Sequence, residues 1–273
     1  MQFFKYRWET SGLSGEPFLF VRKDAAVGKV RLLDQDIRLK IFEKTCIGHS
    51  RKGRHTPCPQ SRVVSDERMC RECMLSDDFF MCVKCDGSEC INDPQRTNCA
   101  KSKYYIYLAA FSNVLKVGIS QEYRVLERLI EQGADMGAKI ALVQDGKIVR
   151  EIEQKIRSEL GIKDRLRGIE KQKLLFGNPN VAAINIFNAF AKLRKNFGEH
   201  LIGPEIYNLQ SIYRVNALTE HPKPLGLDYG TSIEGSVIAA KGNILVMKND
   251  EGLHSFDANK LIGFRTELEI VSA

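Results

Sequence analysis

No cysteine lies outside residues 46–99 of this 273-residue chain, so thiol chemistry of any kind is confined to one segment. No run of about 18 apolar residues occurs, which excludes an ordinary transmembrane helix. The opening MQFFKYRWETSG has no apolar core of the signal-peptide kind, so a cytoplasmic protein is expected. There is no low-complexity tract and no internal repeat, which argues against a solenoid or a disordered linker. What remains is ordinary for a globular chain, with 43% hydrophobic and 27% charged residues and length for one to three domains.

Acidic charge is also in short supply, but only locally. The net charge is +7, made of +3 in residues 1–45, 0 in 46–100, +5 in 101–175 and −1 in 176–273. Residues 155–173 alone hold seven bases against three acids. A positive excess gathered on one segment favours a polyanionic partner, and DNA or RNA is the expected one. No membrane partner is expected.

The eight cysteines are Cys46, Cys58, Cys70, Cys73, Cys82, Cys85, Cys90 and Cys99. Cys70/Cys73 and Cys82/Cys85 are Cys-x-x-Cys pairs, a spacing that lets two thiolates reach one ion from a tight turn. Eight thiols make two tetrahedral Cys₄ zinc sites with none left over. The preferred grouping is Cys46, Cys58, Cys70 and Cys73 on one ion, with Cys82, Cys85, Cys90 and Cys99 on the other. Crossed groupings stay open, and His49 or His55 could replace a cysteine. Disulfides would need an oxidising compartment, and the spacing matches no ferredoxin-type iron–sulfur run. A closed Cys₄ site has no open position for water, so the expected role of both zinc ions is structural. Arg51, Lys52, Arg54 and Arg62 between the first ligands form a basic loop able to contact phosphate.

The central stretch carries the richest pattern. Apolar runs at 104–111 and 114–119 flank a Ser112-Asn113 turn, the mark of a β-hairpin. A helix capped by Ser120 should run to Gln132 and stop at Gly133, burying Tyr123, Leu126, Leu129 and Ile130. Arg124, Glu127, Arg128, Glu131 and Gln132 should face outwards. A second helix over 147–160 buries Val149, Ile152, Ile156 and Leu160, with Glu153 at its edge.

This order of parts resembles the GIY-YIG nuclease family. Tyr105-Ile106-Tyr107 stands at the first triplet, Lys116-Val117-Gly118 at the second, Arg128 at the motif arginine and Glu153 at the metal-holding glutamate. Two positions differ: Lys116 replaces the tyrosine of the second triplet, and Gln132 the histidine or tyrosine four residues after the arginine. With its cysteine-rich segment, the chain also resembles an uncharacterised prokaryotic family joining zinc ligands to a GIY-YIG-like core. The resemblance implies that Glu153 holds Mg²⁺ or Mn²⁺, Arg128 neutralises a phosphate and Tyr107 lies near the nucleophilic water. Lys116 would clamp a phosphate or, with a lowered pKa, serve as a base. Tyr105, Arg124, Arg165 and Arg167 join the basic loop as expected nucleic-acid contacts. The activity implied is phosphodiester hydrolysis; the alternative is a non-catalytic DNA- or RNA-binding protein, or an adaptor, on the same scaffold.

The fold class expected is therefore α+β: a small antiparallel sheet with helices, preceded by the zinc segment and flanked by terminal β segments. The divisions are 1–45 (β), 46–100 (zinc), 101–177 (nuclease-like), 178–200 (a packing helix) and 201–273 (β). The two terminal parts are candidates to pair with each other. Within them, strands are expected at 18–21, 30–33, 37–42, 236–240, 244–247, 261–264 and 266–271.

Overall fold

The computed structural model describes residues 1–24, 26–162 and 166–271. The chain begins with strands β1 (Gln2–Ser11), β2 (Ser14–Lys23), β3 (Ala26–Arg31), β4 (Gln35–Lys44), β5 (His49–Arg51) and β6 (Arg54–Thr56). Short helices α1 (Arg71–Ser76), α2 (Phe80–Lys84) and α3 (Asp93–Lys101) follow. Next come β7 (Lys103–Phe111), β8 (Val114–Gln121), α4 (Val125–Gln132), β9 (Met136–Gln144), α5 (Gly146–Leu160), α6 (Gly168–Lys173), α7 (Pro179–Phe197) and β10 (Leu201–Asn208). The last strands are β11 (Lys223–Pro224), β12 (Ser232–Lys241), β13 (Ile244–Asn249), β14 (Gly252–Asp257) and β15 (Phe264–Val271). The class is α+β. No helix among the described residues is long and apolar enough to cross a membrane.

Two compact units divide the chain: residues 1–80 with 217–273, and residues 81–216. In the first, strands from both ends of the sequence form one sheet in the order β11-β14-β13-β12-β4-β15-β1-β2-β3. Strand β4 joins the two ends, pairing Leu39 with Ile233 on one side and with Leu268 on the other. Ile37, Leu39 and Ile41 are fully buried while Arg38 and Lys40 stay exposed, as period-two alternation requires. Trp8 is a core residue whose indole N–H donates to the Gly242 carbonyl at 2.7 Å. The strand expected at 261–264 does not form: residues 258–261 are a 3-10 helix, and β15, starting at Phe264, takes in the strand expected at 266–271.

The second unit is built on a four-stranded antiparallel sheet, β10-β9-β7-β8. Ile106, Leu108 and Ala110 of β7 point to one face, where Val149, Ile152 and Ile156 of α5 and Ile186 and Leu193 of α7 cover them. Tyr107 and Ala109 point to the other face, the side on which α4 packs. Pairing of Tyr105 with Ser120 and Tyr104 with Gln121 extends β8 beyond the expected helix start. Ser120 is thus a buried strand residue and not an N-cap, and a 3-10 turn at Glu122–Arg124 precedes α4. The late start rotates the helix face: Val125 is buried, Tyr123 is 80% exposed, and Gln132 lies inside. Gly133, at φ 78°, does end the helix.

Two expected boundaries fall elsewhere. Residues 201–208 pair with β9 in the central sheet, so the second unit runs on to residue 216. The cysteine-rich segment is shared, with Cys46–Cys73 in the first unit and Cys82–Cys99 in the second. Runs of short strands and loops carry no mark of which sheet they will join, and that is why the sequence suggested contiguous domains.

Asp135 locks the second unit. It is fully buried. Its backbone N–H donates to the Ala110 carbonyl (2.8 Å), its carbonyl accepts from Leu209 (3.0 Å), and its Oδ2 accepts from the Ser112 N–H (2.7 Å). Ser112 is the left-handed residue of the hairpin turn, at φ 51°. Asp135→Ala should lower stability by about 2–3 kcal/mol, because it strips acceptors from buried donors at a strained turn. Asp135→Asn, which keeps an acceptor oxygen, should cost less. The midpoint of urea unfolding followed by circular dichroism measures both.

Candidate metal centre and a tyrosine–arginine–glutamate cluster

In the first unit, the end of β4, the β5–β6 hairpin and the start of α1 bring four thiols together. The sulfurs of Cys46, Cys58, Cys70 and Cys73 all lie within 4.8 Å of one another, and all four residues are buried. Cys58 and Cys70 are 3.9 Å apart. Tetrahedral zinc with Zn–S bonds of about 2.3 Å needs sulfurs roughly 3.8 Å apart, so the set fits such an ion. Backbone N–H groups of Cys70 (3.1 Å) and Gly48 (3.4 Å) donate to the Cys46 sulfur, an arrangement that favours thiolate. Burial raises Cys46 and Cys73 above the usual thiol range. At Cys58 burial is outweighed by backbone donors from Arg62 and Gln60, and the thiol falls to about 7. The four residues could hold a metal ion such as zinc, and neither histidine is needed. His55 lies against Arg22 (2.9 Å), its ring stacks on Phe4, and burial with the Arg22 charge pushes it down to about 4.

Cys82, Cys85, Cys90 and Cys99 line one cleft of the second unit. Their sulfurs do not converge as tightly, since only the first set meets the 4.8 Å separation among the described residues. The surroundings are polar and tied to α5. Asn92 donates to the Cys82 sulfur at 3.2 Å, and Arg150 of α5 donates to the Cys82 carbonyl at 3.1 Å. Arg96 makes a two-pronged pair with Asp145 (2.8 and 2.6 Å), the residue that caps α5. The Cys99 sulfur rests against Gly146, where a β-carbon would collide with it.

The third feature is at the free edge of the central sheet. Tyr107 pairs across the hairpin with Gly118 on the outermost strand, β8. A β-carbon at 118 would lie 2.5 Å from the Tyr107 hydroxyl and 2.6 Å from its ring carbon Cζ. The ring therefore lies over β8 in space that only glycine leaves. Gln132 of α4 donates its amide to the Tyr107 hydroxyl. Arg128, one turn earlier, interacts with the same hydroxyl, and Glu153 of α5 is near enough to act on it electrostatically. Burial raises the Tyr107 pKa and the Glu153 charge adds to this, while Arg128 and Gln132 oppose it. Arg128 also pairs with Glu131 at 3.2 Å, and Arg124 pairs with Glu127 at 2.8 Å. Lys116 sits on the same face of β8 two residues before Gly118, opposite Ala109.

A family described as "Protein of unknown function (DUF2797)" matches residues 35–265. The chain belongs to that family. No curated protein and no solved structure matches it. The stretch that defines the family contains all eight cysteines and the Tyr107, Lys116, Arg128 and Glu153 positions, so it takes in both candidate sites.

The fold thus brings Tyr107, Arg128 and Gln132 together, leaves Glu153 within electrostatic range of the Tyr107 hydroxyl, and sets Lys116 on the same sheet face. Arg51, Lys52 and Arg54 form the exposed tip of the β5–β6 hairpin. Arg124 is engaged by two glutamates of α4. Arg167 is exposed at the start of α6, while Arg165 lies outside the described residues. Gln132 was expected to face solvent and is instead part of the cluster, with its side-chain oxygen buried and accepting no hydrogen bond among the described residues. Its place four residues after Arg128, on one helix face, was the available signal. Gly118→Ala should displace Tyr107 and destabilise the protein by about 1–3 kcal/mol, with Tyr107→Leu in the same chain restoring part of the loss. Thermal unfolding of the single and double variants tests this.

Proposed function

We propose that this protein acts on nucleic acid through a GIY-YIG-like centre at the β8 edge, with zinc-bound cysteines supporting the structure. The observation that carries the reading is the buried Tyr107 hydroxyl laid over Gly118 and held by Gln132 and Arg128, with the Glu153 charge within electrostatic reach, on a hairpin–helix–strand–helix unit. The +5 charge of residues 101–175 supports a polyanionic partner.

Glu153 would hold Mg²⁺ or Mn²⁺, a role that suits one half-buried carboxylate because Mg²⁺ keeps most of its waters. The buried oxygen of Gln132, which accepts no hydrogen bond among the described residues, is a further acceptor available nearby. The ion would polarise a phosphate. The chain's own residues do the rest: Arg128 places a planar cation for phosphate oxygens, Tyr107 and Gln132 fix its position, and Lys116 adds a second cation. The same geometry favours a second reading, a binder without turnover. Gln132 stands where proton exchange would be needed, and an amide side chain cannot supply it.

Each cysteine quartet would hold one zinc, the Cys46 set tightly and the Cys82 set closing around its ion on binding. Such sites need reduced thiols, which fits a cytoplasmic location. The Arg51–Lys52–Arg54 hairpin tip, held by the first site, would add phosphate contacts.

Metal analysis of protein purified without added zinc should find close to two zinc ions per chain, and Cys73→Ser should lose one together with local structure. A content near zero with oxidised thiols rejects the zinc reading. Binding to DNA or RNA should weaken log-linearly with salt. With Mg²⁺ or Mn²⁺ and a panel of single-stranded, duplex and branched substrates, cleavage by the enzyme should vanish in Glu153→Gln while binding persists. Arg128→Lys should cost about a hundredfold in rate. Lys116→Arg should retain activity if the lysine only clamps phosphate. Binding without cleavage in the wild type selects the second reading, and cleavage gained by Lys116→Tyr would then trace the silence to one residue. Absence of any binding rejects both.

A further inference from the structure

The face of the central sheet that carries Tyr107 continues away from β8 as a row of aromatic and cationic side chains. Alternation along β7 puts Tyr105 on the same face as Tyr107. Lys139 of β9 is the ladder partner of both Tyr107 and Glu205, and Tyr207 of β10 stands opposite Gly137. The Lys139 ammonium lies 4.9 Å from the centre of the Tyr105 ring and 5.4 Å from that of Tyr207. One cation therefore spaces two tyrosines in a row across three strands.

The β7–β9 pairing steps from Ile106–Ala141 to Tyr107–Lys139, so Ile140 of β9 is an extra residue beside this row, the kind of feature that re-aims side chains. Glu205 fixes the lysine at 3.0 Å and also accepts from the Tyr207 hydroxyl. Both tyrosines keep part of their surface in water, and neither joins the core that α5 and α7 form on the opposite face.

Tyrosine on a strand is ordinary. A lysine wedged between two half-exposed tyrosines, on the face that leads to an arginine-bearing cluster, calls for a ligand with flat apolar groups joined by anions. We propose that this face is a track for single-stranded nucleic acid, with bases stacking on Tyr105 and Tyr207 and a backbone phosphate drawing Lys139 from Glu205. Bases inside a duplex offer no free faces to such rings, whereas unpaired bases do. The inference rests on the nucleic-acid reading above and narrows it to a strand form. It adds Lys139 and Tyr207 as contacts.

Fluorescence anisotropy with labelled oligo-dT and oligo-rU of about 15 nucleotides, and with a duplex of equal length, tests it. Single strands should bind more tightly than duplex, and the two homopolymers separate a DNA client from an RNA one. Tyr207→Ala should weaken single-strand binding about tenfold, and Tyr207→Phe, which keeps the ring, much less. Circular dichroism of both variants should match wild type. Tight single-strand binding that ignores Tyr207→Ala, or a preference for duplex, overturns the track and leaves the nucleic-acid reading standing. Failure to bind any of the three probes overturns both.

Discussion

A tyrosine ring laid across an edge strand needs a position without a side chain beneath it, and in this chain that position is Gly118. Everything in the central cluster follows from the space so provided. Because β8 is outermost, the Tyr107 hydroxyl can cross it to reach groups beyond the sheet. The helix that follows β8 then supplies Arg128 and Gln132 from one face, and α5, which covers the opposite face of the sheet, carries Glu153, whose charge acts on the same hydroxyl. The sheet is the spacer, and its free edge is where the two faces can meet.

The cysteines impose a second constraint. Four buried thiols within 4.8 Å are costly to ionise together, and burial raises the pKa values of Cys46 and Cys73 while backbone donors lower that of Cys58. A divalent cation reverses the balance, since it favours thiolate and replaces mutual repulsion by shared attraction. The segment at 46–73 contributes few other buried apolar residues, so an ion held by the four thiols would add much to what fixes its shape. The second quartet has less of its own framework. Its contacts run to the first turn of α5 through Arg96, Asp145, Gly146 and Arg150, and α5 is the helix that bears Glu153. Whatever sets the state of Cys82–Cys99 therefore bears on the helix that delivers the carboxylate.

Local signals in the sequence were strong where the chemistry is local. Alternation at 104–119 located the hairpin to within a residue or two, and Gly133 fixed the end of α4, because turn and cap preferences act over a few residues. The cysteine spacing left the grouping open, and three-dimensional proximity selects Cys46, Cys58, Cys70 and Cys73. What the sequence concealed was nonlocal. Strand pairing carried β8 through Gln121, delayed α4 by a turn, exposed Tyr123 and turned Gln132 inward. Similarly, β10 has the look of a C-terminal strand, yet its partner is β9, and the contribution of Tyr207 to the same face as Tyr105 appears only once that pairing is known.

Charge decides how the cluster can work. Arg124 and Arg128 are already matched by Glu127 and Glu131, and Lys139 by Glu205, so the surface is less a bare cationic patch than a set of exchangeable ion pairs. The glutamates of the α4 pairs are largely buried, whereas Glu205 is exposed, so the Lys139 pair contributes the least to stability in water. A phosphate arriving at these arginines would add acceptors to guanidinium groups whose carboxylate partners are already in place. On that view the glutamates of α4 do not argue against a polyanionic ligand. They hold the guanidinium groups in order, so the ordering entropy that a polyanion would otherwise have to meet is already met by folding.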